Sequence, residues 1–203
     1  MAAAGGKVAL ITGSTSCDGI GYTIAKCLAK NGYNIILHGR RAEAEIEPLR
    51  EQLQREFHVK CHYLTADLLQ RSEIENLCKK KIEALYPDGV DVLVNNAGAS
   101  LNAPLENFPV DKWDEIIQVN LTAPFDMVRL TVGAMKKKGW GRIINISSIS
   151  SKRVLKTSVA YNCSKHGLEG LTKIAELAAF LCTPAADQMT GASIPVDAGK
   201  WAE

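Results

Sequence analysis

Short apolar, β-branched runs alternate along this chain with longer amphipathic stretches, and the order repeats for most of its length. Val8–Thr12 precedes a helical pattern over Ile20–Lys30, Asn34–Leu37 precedes Ala42–Phe57, and Lys60–Leu64 precedes Ser72–Tyr86. Strand-length runs alternating with helix-length ones predict βαβ units. Val90–Val94 then leads to a long helical stretch, Val110–Lys138, interrupted at Pro124. Arg142–Ile146 leads to a helix around Ser158–Leu181 and a short strand at Ser193–Val196. The runs Val8-Ala9-Leu10-Ile11 and Val92-Leu93-Val94 are apolar without alternation, the pattern of strands buried on both faces. The expected fold class is α/β, a doubly wound parallel sheet covered by helices on both sides.

No internal repeat or low-complexity linker marks a boundary, so residues 1–203 are expected to form a single domain. A content of 46% hydrophobic and 23% charged residues fits a globular protein, and a formal charge of +2 argues against an extended nucleic-acid surface. The first seven residues are too short and hold no apolar core long enough for a secretory signal, and no apolar run reaches membrane-spanning length. Six cysteines stand apart, with no Cys-x-x-Cys pair and no histidines at ligand spacing, which disfavours a metal site and a disulfide framework. A reducing, cytoplasmic location is expected, with most thiols buried and free. Lys136-Lys137-Lys138 closes a predicted helix, where cations complement the dipole, and reads as a solvated end.

The segment from Thr12 to Gly21 joins the first strand to the first helix and carries Gly13, Gly19 and Gly21. A pyrophosphate can lie there against free backbone N–H groups at the positive helix end, and glycines let the backbone approach. This turn resembles the Thr-Gly-x-x-x-Gly-x-Gly turn of the short-chain dehydrogenase/reductase family, whose fold is Rossmann-like. Five residues separate Gly13 from Gly19 here, where the family usually has three. The longer loop is expected to bulge while Gly19-Ile20-Gly21 still opens the helix. The candidate phosphate contacts are Gly13, Ser14, Gly19, Ile20 and Gly21.

The end of the second strand reads His38-Gly39-Arg40-Arg41, with no acid to hold a ribose 2′-hydroxyl. Arginine suits a 2′-phosphate, so Arg40 and Arg41 favour NADP(H), with NAD(H) the alternative if both are merely solvated. By resemblance, Asp67 and Leu68 contact the adenine edge. Asn95-Asn96-Ala97-Gly98 matches the family's Asn-Asn-Ala-Gly turn and implies cofactor contacts at Asn95, Ala97 and Gly98.

Tyr161 and Lys165 lie four residues apart in a predicted helix, which stacks their side chains on neighbouring turns. A nearby ammonium favours the phenolate form, making the tyrosine a usable proton donor or acceptor. Ser148 ends the apolar strand thirteen residues earlier, where a hydroxyl faces the crevice that binds ligands in open α/β sheets. Ser148, Tyr161, Lys165 and Asn120 match the family's catalytic set in order and spacing. The resemblance implies that Tyr161 protonates the substrate oxygen, Ser148 polarises it, Lys165 holds the nicotinamide ribose and Asn120 supports a proton relay. His166 projects about 100° from Lys165 around the helix and reads as a surface residue.

Within the family, the stretches Trp140–Ile146 and Lys165–Gly167 look most like 3-hydroxybutyrate dehydrogenases and 3-oxoacyl reductases. After Lys173 the resemblance breaks. The segment expected to hold a sixth strand and a substrate-covering helix is missing, and Gly170–Lys173 runs directly into Ile174–Leu181. Leu168, Leu171, Ile174 and Ala175 keep one apolar stripe across the joint, which predicts a single continuous helix, with the fifth strand's edge either open or re-paired to the last strand. The chain is expected either to work as an oxidoreductase on a carbonyl or secondary alcohol, or to be a shortened variant that binds dinucleotide or a partner subunit without turnover. The expected partner is a small molecule, with no nucleic acid, no membrane and homo-oligomerisation left open.

Overall fold

The computed structural model describes residues 6–180, with side chains as far as 172. Five parallel strands form one sheet in the order β3-β2-β1-β4-β5. They are β1 (Val8–Ile11), β2 (Asn34–Gly39), β3 (Cys61–Thr65), β4 (Val92–Asn95) and β5 (Arg142–Asn145). The reversal of order lies between β1 and β4, where Ala9 pairs with Ile35 on one side and Val92 on the other. A ligand crevice is expected at the carboxyl ends of the strands on either side of this switch.

Period-two alternation sorts each strand's side chains onto two cores. Leu10, Ile36, Leu93 and Ile143 face one core with Ile74, Leu77, Met127 and Met135. Ala9, Ile11, Ile35, Leu37, Val92 and Val94 face the other with Tyr22, Ala25, Ile46 and Leu53. The second core is roofed by α1 (Ile20–Lys30) and α2 (Glu43–Phe57). Each fully buried Leu or Ile in these layers contributes roughly 1.5–3 kcal/mol of burial free energy.

The first core is covered by helices that are not uniformly α-helical. Helix α3 (Arg71–Asn76) widens into a π-helical turn at Leu77–Ile82 before α4 (Glu83–Leu85). Helix α5 (Val110–Ile117) similarly passes through a π-helical turn at Gln118–Thr122 into α6 (Ala123–Lys138). The expected interruption at Pro124 therefore takes the form of a widened turn just before it. Proline has no N–H for the carbonyl four residues earlier, so residue 124 leaves the Asn120 carbonyl without that helical partner.

Helix α6 ends at Gly139 in the left-handed region, φ 63°. Its last lysine is not simply solvated. Lys138 donates to Asp91 Oδ1 at 2.6 Å and to the Val90 carbonyl at 3.1 Å, anchoring the helix end to the start of β4.

Helix α7 (Val159–Phe180) runs unbroken through Lys173 and Ile174, as the apolar stripe predicts. The strand expected at Ser193–Val196 lies outside the described residues. Among the described cysteines, all are free, but only Cys61 and Cys78 are buried, both thiols pushed up to about 12 mainly by desolvation. Cys17, Cys27 and Cys163 are exposed, which corrects the expectation of mostly buried thiols. No described helix is long and apolar enough to cross a membrane.

Candidate active site

The turn after β1 and the turn after β4 are locked together by two polar side chains. Thr12 Oγ1 accepts the N–H groups of Asn96 and Ala97, both at 3.0 Å. Asn96 Nδ2 donates to the Thr12 and Gly13 carbonyls, both at 2.9 Å. Gly13 takes φ +63°, and a Cβ there would fall 2.8 Å from the Ala97 Cα. A side chain at Gly13 is thus excluded by both conformation and contact.

Ser14 is fully buried and turned inward. Its hydroxyl donates to the Ile11 carbonyl at 2.8 Å and accepts the His38 N–H at 3.0 Å, so it braces β1 against β2 instead of facing a phosphate. The Gly19 N–H closes a turn on the Ser16 carbonyl at 2.9 Å, leaving Cys17 and Asp18 exposed in the expected bulge. Helix α1 starts immediately after Gly19 with no side-chain cap and no acidic residue in its first turn. Uncapped N–H groups at the positive helix end suit an anion, and the residues present fit the pyrophosphate of a dinucleotide.

At the end of β2, burial holds the His38 imidazole down to about 4, so positive charge there comes from the two arginines. Arg40 is two-thirds exposed and lies 3.7 Å from Asp67. Arg41 is more firmly held. Its Nε and Nη2 donate to Glu45 Oε2 at 3.1 and 2.7 Å, and its Nη1 donates to the Thr15 carbonyl at 3.1 Å. The hydrogen bond from Arg41 holds the Glu45 carboxyl below the usual range. Asp67 Oδ1 accepts the Leu69 N–H at 3.1 Å, and the buried Leu68 offers its carbonyl to Gln118 Nε2 at 3.1 Å.

Beyond the switch, Asn95 Nδ2 donates across the sheet to Asn145 Oδ1 at 2.8 Å, and Asn145 Nδ2 donates to Thr172 Oγ1 of α7 at 3.1 Å. Asn95 therefore braces β4, β5 and α7. Ser148 opens a short 3₁₀ turn, Ile149–Ser151, with its Oγ accepting the Ser150 N–H at 3.2 Å. The neighbouring Ser147 hydroxyl is buried without a partner.

Tyr161 is half-buried, and Lys165 is only 4% exposed. The Lys165 Nζ stands 5.6 Å from the centre of the Tyr161 ring and donates to the Ile146 carbonyl at 2.7 Å. Burial lowers its ammonium from 10.5 to about 8. The structure thus brings the phenol ring and the ammonium together at the strand end that leads, two residues later, to Ser148.

Asn120 is fully buried in the π-helical turn. Its amide donates to the Ala99 carbonyl and Ser164 Oγ at 2.9 and 3.0 Å, and its oxygen accepts the Ala99 N–H at 2.8 Å. Its side chain ties the loop after β4 to α7, and Gly98 packs against it, a Cβ there meeting Asn120 Oδ1 at 3.5 Å. His166 is exposed with Nδ1 on the Asn162 carbonyl, 2.8 Å away, as expected of a surface residue.

This arrangement sets the uncapped start of α1 and a Tyr-Lys pair on opposite sides of the topological switch. Residues 7–179 match the short chain dehydrogenase family model. The chain belongs to the short-chain dehydrogenase family. It is 43% identical over 171 residues to a D-beta-hydroxybutyrate dehydrogenase of Rhizobium meliloti (strain 1021), covering 84% of this chain and 65% of the relative. A D-beta-hydroxybutyrate dehydrogenase of Cupriavidus necator is 42% identical over 176 residues, covering 85 and 64%. The chain therefore spans somewhat under two thirds of the length of these short-chain dehydrogenases.

Among solved structures, the acetoin dehydrogenase of Salmonella typhimurium superposes with a TM-score of 0.79 at 34% identity, covering 87% of this chain and 68% of that one. The L-sorbose reductase of Gluconobacter frateurii, complexed with NADPH and L-sorbose, gives 0.81 at 29% identity, covering 88 and 66%. For a short-chain dehydrogenase, the residues that the sequence pattern underplayed are Thr12, Asn96 and Glu45. Thr12 and Asn96 were visible only as neighbours of glycine-rich turns. Glu45 carried a readable signal, its position four residues after Arg41 at the start of a helix.

Proposed function

We propose that this chain uses a nicotinamide dinucleotide to interconvert a carbonyl and a secondary alcohol, with a 3-oxo/3-hydroxy acid or its thioester as substrate. The observation that carries this reading is the buried Lys165 ammonium beside the Tyr161 ring at the carboxyl end of β5. The names of the D-beta-hydroxybutyrate dehydrogenase relatives support the substrate class. When bound, the dinucleotide supplies or accepts the hydride at the substrate carbon.

The chain's own residues supply the rest. Gly13, Gly19, Ile20 and Gly21 hold the pyrophosphate at the open end of α1. Arg40 and Arg41 face the adenosine ribose and favour NADP(H) over NAD(H), while Asp67 and Leu68 border the adenine, and Ala97 and Gly98 line the turn beside the nicotinamide half. Tyr161 gives its hydroxyl proton to the substrate oxygen as the carbonyl is reduced and takes it back in the reverse direction. Ser148 donates a hydrogen bond to the same oxygen and stabilises the developing charge. Lys165 binds the nicotinamide ribose and sets its ammonium beside the Tyr161 ring. Asn120 acts through position, keeping α7 against the loop after β4. A small-molecule substrate and a reducing, cytoplasmic setting complete the reading.

A second reading has its own support. On β5, Ile144 is 42% exposed, and the chain spans 65% of the length of a matched relative. A chain that binds dinucleotide but lacks cover over substrate would turn over slowly or not at all. NADPH or NADH oxidation with acetoacetate or a 3-oxoacyl thioester separates the two. Turnover that Tyr161→Phe abolishes supports the first, and saturable dinucleotide binding without turnover supports the second.

A further inference from the structure

The arginines at the end of β2 are already engaged by acids of the same chain. Arg41 is the more completely occupied. Two of its donors rest on one oxygen of Glu45 and a third on the Thr15 carbonyl, while the other Glu45 oxygen accepts the Ala42 N–H at 3.1 Å. The Arg41 main chain is fixed as well, its carbonyl accepting the Tyr63 hydroxyl at 2.8 Å. Thr15 lies directly over the strand end, since a Cβ on Gly39 would fall 2.5 Å from Thr15 Cγ2. Arg41 therefore clasps the phosphate-side loop to the first turn of α2.

A carboxylate and a phosphate monoester present the same oxygen geometry to a guanidinium fork, and one fork accommodates one of them at a time. Glu45 also sits in the first turn of α2, with Glu43 as the other acid there, where the helix dipole favours negative charge and keeps it in place. The contact between Arg40 and Asp67 differs in kind. At 3.7 Å it is a loose pair between partly exposed groups, beyond hydrogen-bond reach.

We infer that Glu45 is a specificity-determining residue, an internal competitor that occupies Arg41 in place of a ribose 2′-phosphate and narrows the preference for 2′-phosphorylated dinucleotides. The inference rests on the dinucleotide reading proposed above. A ribose with a free 2′-hydroxyl leaves the clasp closed. A ribose carrying a 2′-phosphate must displace the Glu45 carboxylate and free the loop at Thr15.

The test compares adenosine 2′,5′-bisphosphate with 5′-AMP, which differ only in the 2′-phosphate, by isothermal titration of the full chain and of Glu45→Gln. Glutamine keeps an acceptor for the Ala42 N–H and removes the competing charge. Relief of one exposed ion pair predicts about three-fold to five-fold tighter binding of the bisphosphate, with 5′-AMP affinity changed by less than about 1.5-fold. The gain should vanish in Arg41→Gln/Glu45→Gln. Equal changes for both nucleotides, no change for either, or a gain that survives loss of Arg41 would overturn the inference while leaving the dinucleotide reading intact. A folded parent chain that binds neither nucleotide would overturn both.

Discussion

The two wings of the sheet are built from similar sequence but are covered differently. In β1 and β2, side chains on both faces are buried, and Val8, Ala9, Leu10 and Ile11 are each at most 5% exposed, while β3 at the sheet edge buries Cys61 and Tyr63 on one face and leaves His62 and Leu64 half-buried on the other. In β5, Ile143 is buried against the α6 and α7 side while Ile144, next to it, is 42% exposed on the opposite face. The Ile143-Ile144 pair has the same doubly apolar signature as Leu10-Ile11, so the sequence asks for cover on both faces. Among the described residues, the helices packed against β5 are α6 and α7, both on the buried side of Ile143. The difference separates two tasks. The wing that would hold a dinucleotide has helices of the described chain on both faces, whereas β5, among the described residues, has helices packed on one face only.

The largest expected effect sharpens that separation. Tyr161→Phe should lower turnover by about 10²- to 10⁴-fold, the usual contribution of a positioned proton donor, with NADPH affinity nearly unchanged. Steady-state rates and fluorescence titration on the same preparation check both halves. A parallel loss of binding would show that the tyrosine belongs to the dinucleotide wing and would break the comparison.

The next effect measures the first wing directly. Leu10→Ala, at a fully buried position of β1, should cost about 2–5 kcal/mol in urea unfolding, because it removes apolar contacts and leaves a cavity between packed layers. A cost below about 1 kcal/mol would mean that this wing is no better packed than the other.

Lys165 gives a pH test in the second wing. Its folded-state value, about 8, lies below its ordinary 10.5, so the native state binds fewer protons than the unfolded chain between these limits. Stability should therefore rise with pH across that window, and the burden of a buried ammonium should be fully present below about pH 8. Lys165→Met should remove this pH dependence and leave stability at pH 7 equal to the parent or higher, by up to roughly 2 kcal/mol, while NADPH binding weakens. Denaturant titrations at several pH values decide it. A variant less stable than the parent at pH 7 would mean that the Ile146 hydrogen bond outweighs the cost of burying the charge.

The smallest effect belongs to the open face. Ile144→Ser should cost about 1–2 kcal/mol, less than Leu10→Ala because the side chain is only partly buried, and should reduce concentration-dependent self-association in sedimentation. A loss of several kcal/mol would reveal cover on that face.

The succession of strands and helices along the chain and the turns after β1, β4 and β5 were legible because their signals are local. Apolar runs of strand length, glycines at a strand exit and a tyrosine one turn from a lysine each need only a few neighbouring residues. The continuous α7 was equally readable, since an apolar stripe through Lys173 and Ile174 is a periodic signal.

What the sequence hid depends on contacts between distant segments. Ser14 looked like a phosphate ligand because of where it stands, but its hydroxyl bridges Ile11 and His38. Asn120 was marked for its place in the catalytic set, and the long-range bonds of its amide to Ala99 and Ser164 carried no local signal. The π-helical turns at Leu77–Ile82 and Gln118–Thr122 escaped notice because one extra residue in a turn barely changes an amphipathic pattern. Arg41 was read as a candidate 2′-phosphate ligand, and the structure adds that Glu45, four residues on, holds two of its donors on one carboxylate oxygen.

The most direct test of the account is a fluorescence titration of the folded parent chain with NADPH and NADH. The β1–β3 wing and the uncapped start of α1 predict saturable binding of at least one of them, retained in Tyr161→Phe and retained whether or not any carbonyl substrate is turned over. A chain with native circular dichroism and a cooperative unfolding transition that binds neither would contradict it.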